Sequence, residues 1–216
     1  MKKTTIFFDL DNTLIDRTTA ATKGFNLIVD ETFGKVDEEF KQIAVFRLLE
    51  LDKNGSVSKF EVFNSFATEY NLDSAWAKEK ADFWYNNITY WTIPFEKAEE
   101  TLKELKKQFK LGLISNGDVE IQYAKLDRSG LWYLFDATLV SLEIDLYKPD
   151  AKVFLEGCKR IGCQPQEAYF VGDNIKCDIE GSRNVGMSPI YIWKDPSVVY
   201  EGVPRIYSIE EIIDVV

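Results

Sequence analysis

The chain contains no histidine at all. That absence removes every imidazole-based triad, every histidine-ligated zinc site and every imidazole general base, so acid–base chemistry falls to carboxylates. Cysteine is scarce as well: Cys158, Cys163 and Cys177 are the only three, and none forms a C-x-x-C pair. An odd number at such spacings argues against a disulfide framework and fits a reducing compartment. Cys177 reads as a packed, inert thiol. No apolar run approaches the ~20 residues needed to cross a bilayer. Met1-Lys2-Lys3-Thr4-Thr5 leads at once into an apolar segment, which leaves no room for a signal peptide and makes the cytoplasm the expected compartment. Positive charge is also in short supply, with 26 basic against 36 acidic residues and a net charge of −10. Nucleic acids and anionic membranes select basic surfaces, so neither is an expected partner.

A hydrophobic share of 45% with 14% aromatics is enough for a sizeable core. The 216 residues suit one domain, or one domain carrying an insertion. From about residue 95 the pattern alternates between helix and strand. An amphipathic helix over Glu96 to Phe109 precedes a strand at Leu111 to Ile114, a helix at Val119 to Arg128 and a short strand at Thr138 to Val140. A helix over Ala151 to Ile161 is stopped by Gly162, a strand covers Tyr169 to Val171, and a helix ends near Gly186. A strand at Pro189 to Trp193, then Arg205-Ile206-Tyr207 and a Ser208-capped helix, close the chain. Repeated β-α units predict an α/β fold with a doubly wound parallel sheet.

Residues 17–93 break this rhythm. They hold no convincing strand but several helical patterns, including Phe40 to Leu51, Lys59 to Tyr70 and Ala75 to Tyr90. The expectation is a helical insert (17–93) within a core made of 1–16 and 94–216, its aromatics mostly packing its own interior. The run from Asp52 to Glu61 mimics a calcium-binding EF-hand loop, but its Gly and Glu fall at positions four and ten rather than six and twelve. It reads instead as a helix stop followed by a capping box from Ser58 to Glu61.

Chemistry concentrates at four places. The strand Ile6-Phe7-Phe8 delivers Asp9-Leu10-Asp11-Asn12-Thr13, two carboxylates two residues apart. Period-two geometry aims Asp9 and Asp11 to one side if the strand runs that far. One could attack while the other moves a proton, and the two could hold a divalent cation; a short acidic turn could also merely cap a helix. Leu111 to Ile114 ends in Ser115-Asn116-Gly117, and Tyr147-Lys148-Pro149-Asp150 presents a lysine before a helix. Tyr169-Phe170-Val171 runs into Gly172-Asp173-Asn174, with Asp178 five residues beyond Asp173. Carboxylates crowded in this way repel strongly and need a hard cation to coexist.

Together, in this order, the four segments resemble the haloacid dehalogenase-like superfamily of aspartyl-phosphate enzymes, subfamily I with a helical C1 cap. The resemblance implies a Mg²⁺-dependent phosphatase acting on a small phosphate ester such as a nucleoside monophosphate, a sugar phosphate or phosphoglycolate. It implies Asp9 as nucleophile and Asp11 as general acid and base, with Thr13 holding the turn. Ser115, Asn116 and Lys148 would bind the phosphoryl oxygens. Asp9, the Asp11 carbonyl and Asp173 would hold Mg²⁺, supported by Asn174 and Asp178. Because the chain is acidic, such a phosphate site must be locally positive. A phosphomutase would keep all these residues, whereas a dehalogenase would lack Asp11 and a phospho-accepting signalling module would be shorter. Arg17 and Lys23 could touch a leaving group or simply be solvated, and monomer and homodimer both remain open. Two positions depart from the family's pattern, since Asn12 and Asp145 stand where glycine is common. Both residue types tolerate a left-handed bend better than most.

Overall fold

The computed structural model of the chain describes residues 2–192 and 200–216. Their contacts divide the chain into two compact units, Met1–Asp16 with Ile93–Val216, and Arg17–Thr92.

The first unit is built on a sheet of six strands among the described residues: β1 (Thr5–Phe8), β2 (Lys110–Ser115), β3 (Ala137–Val140), β4 (Ala168–Gly172), β5 (Ser188–Ile192) and β6 (Arg205–Ile206). Trp193, expected to end the fifth strand, lies outside the described residues. The spatial order is β3-β2-β1-β4-β5-β6 and every pairing is parallel. Strands in such a sheet are buried on both faces, and β1 makes the point in four residues. Ile6 and Phe8 enter one cluster with Leu111, Leu113, Val171 and Ile190, covered by Leu102 of α5 (Ala98–Leu105) and Leu126 of α6 (Val119–Arg128). Phe7 enters the opposite cluster with Ile114, Leu139 and Phe170, covered by Val153 and Phe154 of α7 (Ala151–Ile161).

Helix α5 is shorter than the periodicity of Glu96 to Phe109 suggests. Lys97 sits in the left-handed region at φ +71°, which places Glu96 outside the helix, and residues 106–109 close as turns onto Leu102, Glu104 and Leu105. The final helix is likewise a 3₁₀ segment, Ile209–Asp214. After β4 the chain winds through a π-helical segment, Ile175–Glu180, into the short α8 (Gly181–Asn184).

The second unit is all helical: α1 (Arg17–Phe33), α2 (Glu38–Asp52), α3 (Lys59–Glu69) and α4 (Ser74–Trp91). Its interior is aromatic. Phe25 stacks on Trp84 at 4.6 Å between ring centroids, and Phe66 lies between Tyr70 and Trp76. Trp84 is buried and Trp76 and Phe83 partly so, while Tyr85 and Tyr90 are exposed. Buried charge sits here too. The Asp52 carboxylate, 1% exposed, takes Arg17 Nη2 at 2.8 Å and Lys59 Nζ, and accepts from Gly55 N at 2.9 Å. Arg17 is thus engaged inside this unit rather than solvated, whereas Lys23 is exposed. Asp52 is committed to two cations, and the false calcium loop is a helix stop. Ser58 caps α3 by accepting from Glu61 N, and its hydroxyl donates to the Glu61 carboxylate.

Removing Asp52 strands two buried cations. Asp52→Ala is expected to destabilise the protein by about 3–5 kcal/mol, read as a lower urea midpoint. A change under about 1 kcal/mol, the level of an exposed pair, would show that the three-membered ion group contributes little.

Candidate active site

Sheet order explains why distant residues meet. Strands β2, β1 and β4 are neighbours, with Phe8 level with both Leu113 and Val171. Their C-terminal ends therefore present Ser115, Asp9 and Asp173 side by side, at the edge where open α/β sheets bind ligands. Asp9 N still donates to Val171 O at 2.9 Å, but the strand ends at Phe8 and the chain turns. Leu14 N reaches Leu10 O and Asn12 N reaches Ile15 O, with Asn12 left-handed at φ +59°. Period-two geometry thus stops before Asp11, and the two carboxylates part company.

Asp9 faces Lys148. The Lys148 ammonium is 2.7 Å from Asp9 Oδ1, 2.7 Å from Asp178 Oδ1 and 2.9 Å from Ile114 O, so its three hydrogens are all placed. Asn116 holds this lysine from behind: its Oδ1 accepts from Lys148 N at 2.8 Å and its Nδ2 donates to Lys148 O at 3.0 Å. Asp178 is set by the π-helical turn, in which Asp178 N and Ile179 N both reach Asn174 O. Its Oδ2 accepts from Asn174 N at 3.0 Å. Gly172 makes this approach possible, since a Cβ there would lie 2.4 Å from Asp178 Oδ2. Thr13 is fully buried in the turn, its hydroxyl without a hydrogen-bond partner among the described residues. Asp145 takes its bend at φ +51°.

Carboxylate oxygens of Asp9, Asp173 and Asp178 all lie within 4.8 Å of one another. At that separation and an effective dielectric near 20, each ionised pair repels by roughly 3 kcal/mol. Burial, only partly offset by Lys148, pushes Asp9 up to about 7, with Asp178 and Asp11 adding to the rise. Burial and the charges of Asp9 and Asp178 likewise hold Asp173 well above the carboxylate range. Lys148 goes the other way: burial opposes its charge, but Asp178 and Asp9 outweigh burial and keep it protonated above its ordinary value. Three carboxylates against one ammonium leave two excess negative charges, and every donor is a hard oxygen. That set fits a hard divalent cation.

Asp11 belongs to a different constellation. Lys125 Nζ is 2.9 Å from both its oxygens, and Gln122 Nε2 donates to its Oδ2 at 3.0 Å. The same amide donates to Ser115 Oγ at 2.7 Å and to Asn116 O at 3.2 Å. Gln122 and Lys125 are buried, three apart on one face of α6. Both escape a reading by motif; their signal is a Gln and a Lys on the helix face that also carries buried Leu126.

The haloacid dehalogenase-like hydrolase family model matches residues 6–192. The glyceraldehyde 3-phosphate phosphatase of Methanothermobacter thermautotrophicus is 30% identical over 194 residues, covering 87% of this chain and 84% of that protein. The human N-acylneuraminate-9-phosphatase is 28% identical over 216 residues, covering 92% and 86%. Among solved structures, the magnesium-bound HAD-hydrolase YfnB of Bacillus subtilis superposes with a TM-score of 0.80 at 22% identity, over 100% of this chain and 99% of that one, a likeness of fold.

The raised Asp9 carboxyl has a thermodynamic consequence. Its contribution to stability is full below the ordinary carboxylate value near 4 and is lost as pH climbs through about 7. A cation binding the deprotonated cluster reverses that loss. Added Mg²⁺ is therefore expected to raise Tm more at pH 8 than at pH 5, by differential scanning fluorimetry against chelator. Equal shifts at the two pH values would contradict a cation site on these carboxylates.

Proposed function

The chain belongs to the haloacid dehalogenase-like hydrolases, and from that membership we propose that it is a Mg²⁺-dependent phosphatase of a small phosphorylated metabolite, of the sugar-phosphate, nucleoside-monophosphate or phosphoglycolate type, working through an aspartyl-phosphate. The observation that carries this reading is the gathering of Asp9, Asp173 and Asp178 around the buried Lys148. The phosphatase names of its relatives support the ester class.

In this reading Asp9 attacks phosphorus while the bond to the leaving alkoxide breaks. Asp11 gives that oxygen its proton, then takes one from the water that attacks the phosphoryl group and frees Asp9. Ser115, Asn116 and Lys148 bind phosphoryl oxygens, with Lys148 exchanging part of its hold on Asp9 and Asp178 for the substrate. When bound, Mg²⁺ would be held by Asp9, Asp173 and the Asp11 carbonyl and would neutralise phosphoryl charge, as phosphoryl transfer requires. Thr13 keeps the turn, and Asn174 with Asp178 orders the surroundings. The helical unit takes the part of the cap that sorts leaving groups. Lys125 and Gln122 are positioning residues: they fix Asp11, which must leave Lys125 to meet the departing oxygen.

Phosphate release from a panel of sugar phosphates, nucleoside monophosphates, phosphoglycolate and an activated aryl phosphate tests the class. Release is expected with Mg²⁺ and not with chelator, and Asp9→Asn is expected to reduce it to background with the fold intact. Silence across the whole panel, or substantial turnover by Asp9→Asn, would sink the reading.

Lys125→Met probes the positioning role separately. Its loss in kcat is expected to be about tenfold to a hundredfold for alkyl esters, less than the full contribution of a general acid because Asp11 itself remains, and much smaller for the aryl ester, whose leaving group needs no proton. Equal losses on both esters would remove Lys125 from that role.

A further inference from the structure

At the other end of α7, the helix closes in a Schellman turn. Gly162 is left-handed at φ +74°, and Gly162 N and Cys163 N both donate to Cys158 O, at 2.9 and 3.1 Å. The second bond is the six-to-one closure that brings the side chains of its two end residues together. Those residues are Cys158 and Cys163, and neither is in a disulfide. Cys158 is buried in the cluster that also holds Phe7, Ile114 and Phe154. Cys163 is partly exposed, in an open surface depression of about 420 Å³ lined also by Lys159, Gln164 and Glu167.

We propose that Cys158 and Cys163 form a reversible peroxide-responsive dithiol, with Cys163 the attacking and Cys158 the resolving thiol. The Cys163 thiolate attacks one oxygen of hydrogen peroxide, the O–O bond breaks, and hydroxide leaves to become water. Cys163 is then a sulfenic acid. Cys158 sulfur attacks it, the S–O bond breaks, and a second water departs. Two thiols have lost two electrons and two protons to one peroxide. The disulfide forms across the closed helix end, before a second oxidant can carry Cys163 to the irreversible sulfinic acid.

The electrostatics favour this division of labour. Donation from Cys158, aided by Thr5, draws Cys163 down to about 7 against the opposing effect of burial. Cys158, as the donor and buried, is pushed up. Cys177 lies on the π-helical segment and is not part of this helix closure. A thiolate near neutral pH beside an accessible surface is the reactive kind.

Trypsin separates the partners, because Lys159 and Arg160 lie between them and Lys176 precedes Cys177. Reduced full-length protein, freed of reductant, is treated with hydrogen peroxide at equivalence. The expected product has lost two hydrogens in intact mass, retains one titratable thiol of three, yields a peptide pair joined through Cys158 and Cys163, and reverts fully with dithiothreitol. Cys177→Ser should give the same loss of two hydrogens, and Cys158→Ser should instead accumulate oxygen on Cys163. Iodoacetamide at pH 7 should modify the partly exposed Cys163 at least about tenfold faster than the buried Cys158. Survival of all thiols under excess peroxide, oxygen gained on wild-type Cys163 with Cys158 still free, or a first linkage through Cys177 would each overturn the proposal. If Cys158→Ser fails to fold, the wild-type peptide map still decides.

Discussion

The buried ammonium of Lys148 is the constraint around which the C-terminal end of the sheet is arranged. An unpaired charge at that depth is prohibitive, and each hydrogen of this one is met by Asp9, Asp178 or Ile114 O. The arrangement overshoots, because Asp173 brings a third carboxylate within reach of the first two. One lysine is too little for three acids. Isolated from any cation the cluster answers by keeping protons, as the upward displacement of Asp9 and Asp173 records. A divalent cation or a phosphoryl group changes that balance in opposite directions, so the site is suited to taking both at once.

Topology makes this concentration of charge affordable. Parallel pairing of β2, β1 and β4 puts three loop starts side by side, and the apolar clusters on both sheet faces hold the strands in register. Rigidity is then passed outward by polar contacts rather than packing. Asn116 clamps the backbone of Lys148, Asn174 fixes Asp178, and glycine at 172 leaves the room that Asp178 occupies. The helical unit repeats the theme with the signs reversed, two cations around the one carboxylate of Asp52.

How much of this a sequence displays depends on range. Strands β1, β2 and β4 are legible because each is an apolar run ending in a small or acidic residue, and α6 and α7 fall at Val119 to Arg128 and Ala151 to Ile161 as their periodicity and stop signals require. The left-handed turns at Asn12 and Asp145 are legible for the same local reason. What stays hidden is set by partners far apart in the chain. Asp52 reads from the sequence as part of a helix stop, and nothing local shows that Arg17, 35 residues away, is paired with it. Lys125 and Gln122 lie more than a hundred residues from Asp11, and nothing local marks them. The thiol pair falls between these cases, since a cysteine four residues before the helix-ending glycine and another just after it meet only once the helix is known to close there.

The parting of Asp9 and Asp11 is the last consequence of that local geometry. Had β1 continued by two residues, both carboxylates would share one side and one environment, and their mutual repulsion would make them a single proton-sharing pair. The turn at Leu10 to Ile15 instead gives each its own lysine: Asp9 the buried Lys148, in a cluster starved of positive charge, and Asp11 the Lys125 and Gln122 of α6, nearer solvent. Two acids of the same type are thereby given unlike surroundings, the condition under which one serves as nucleophile and the other as proton carrier. The hairpin-tight turn that breaks the strand is therefore as much a part of the proposed chemistry as the carboxylates it separates.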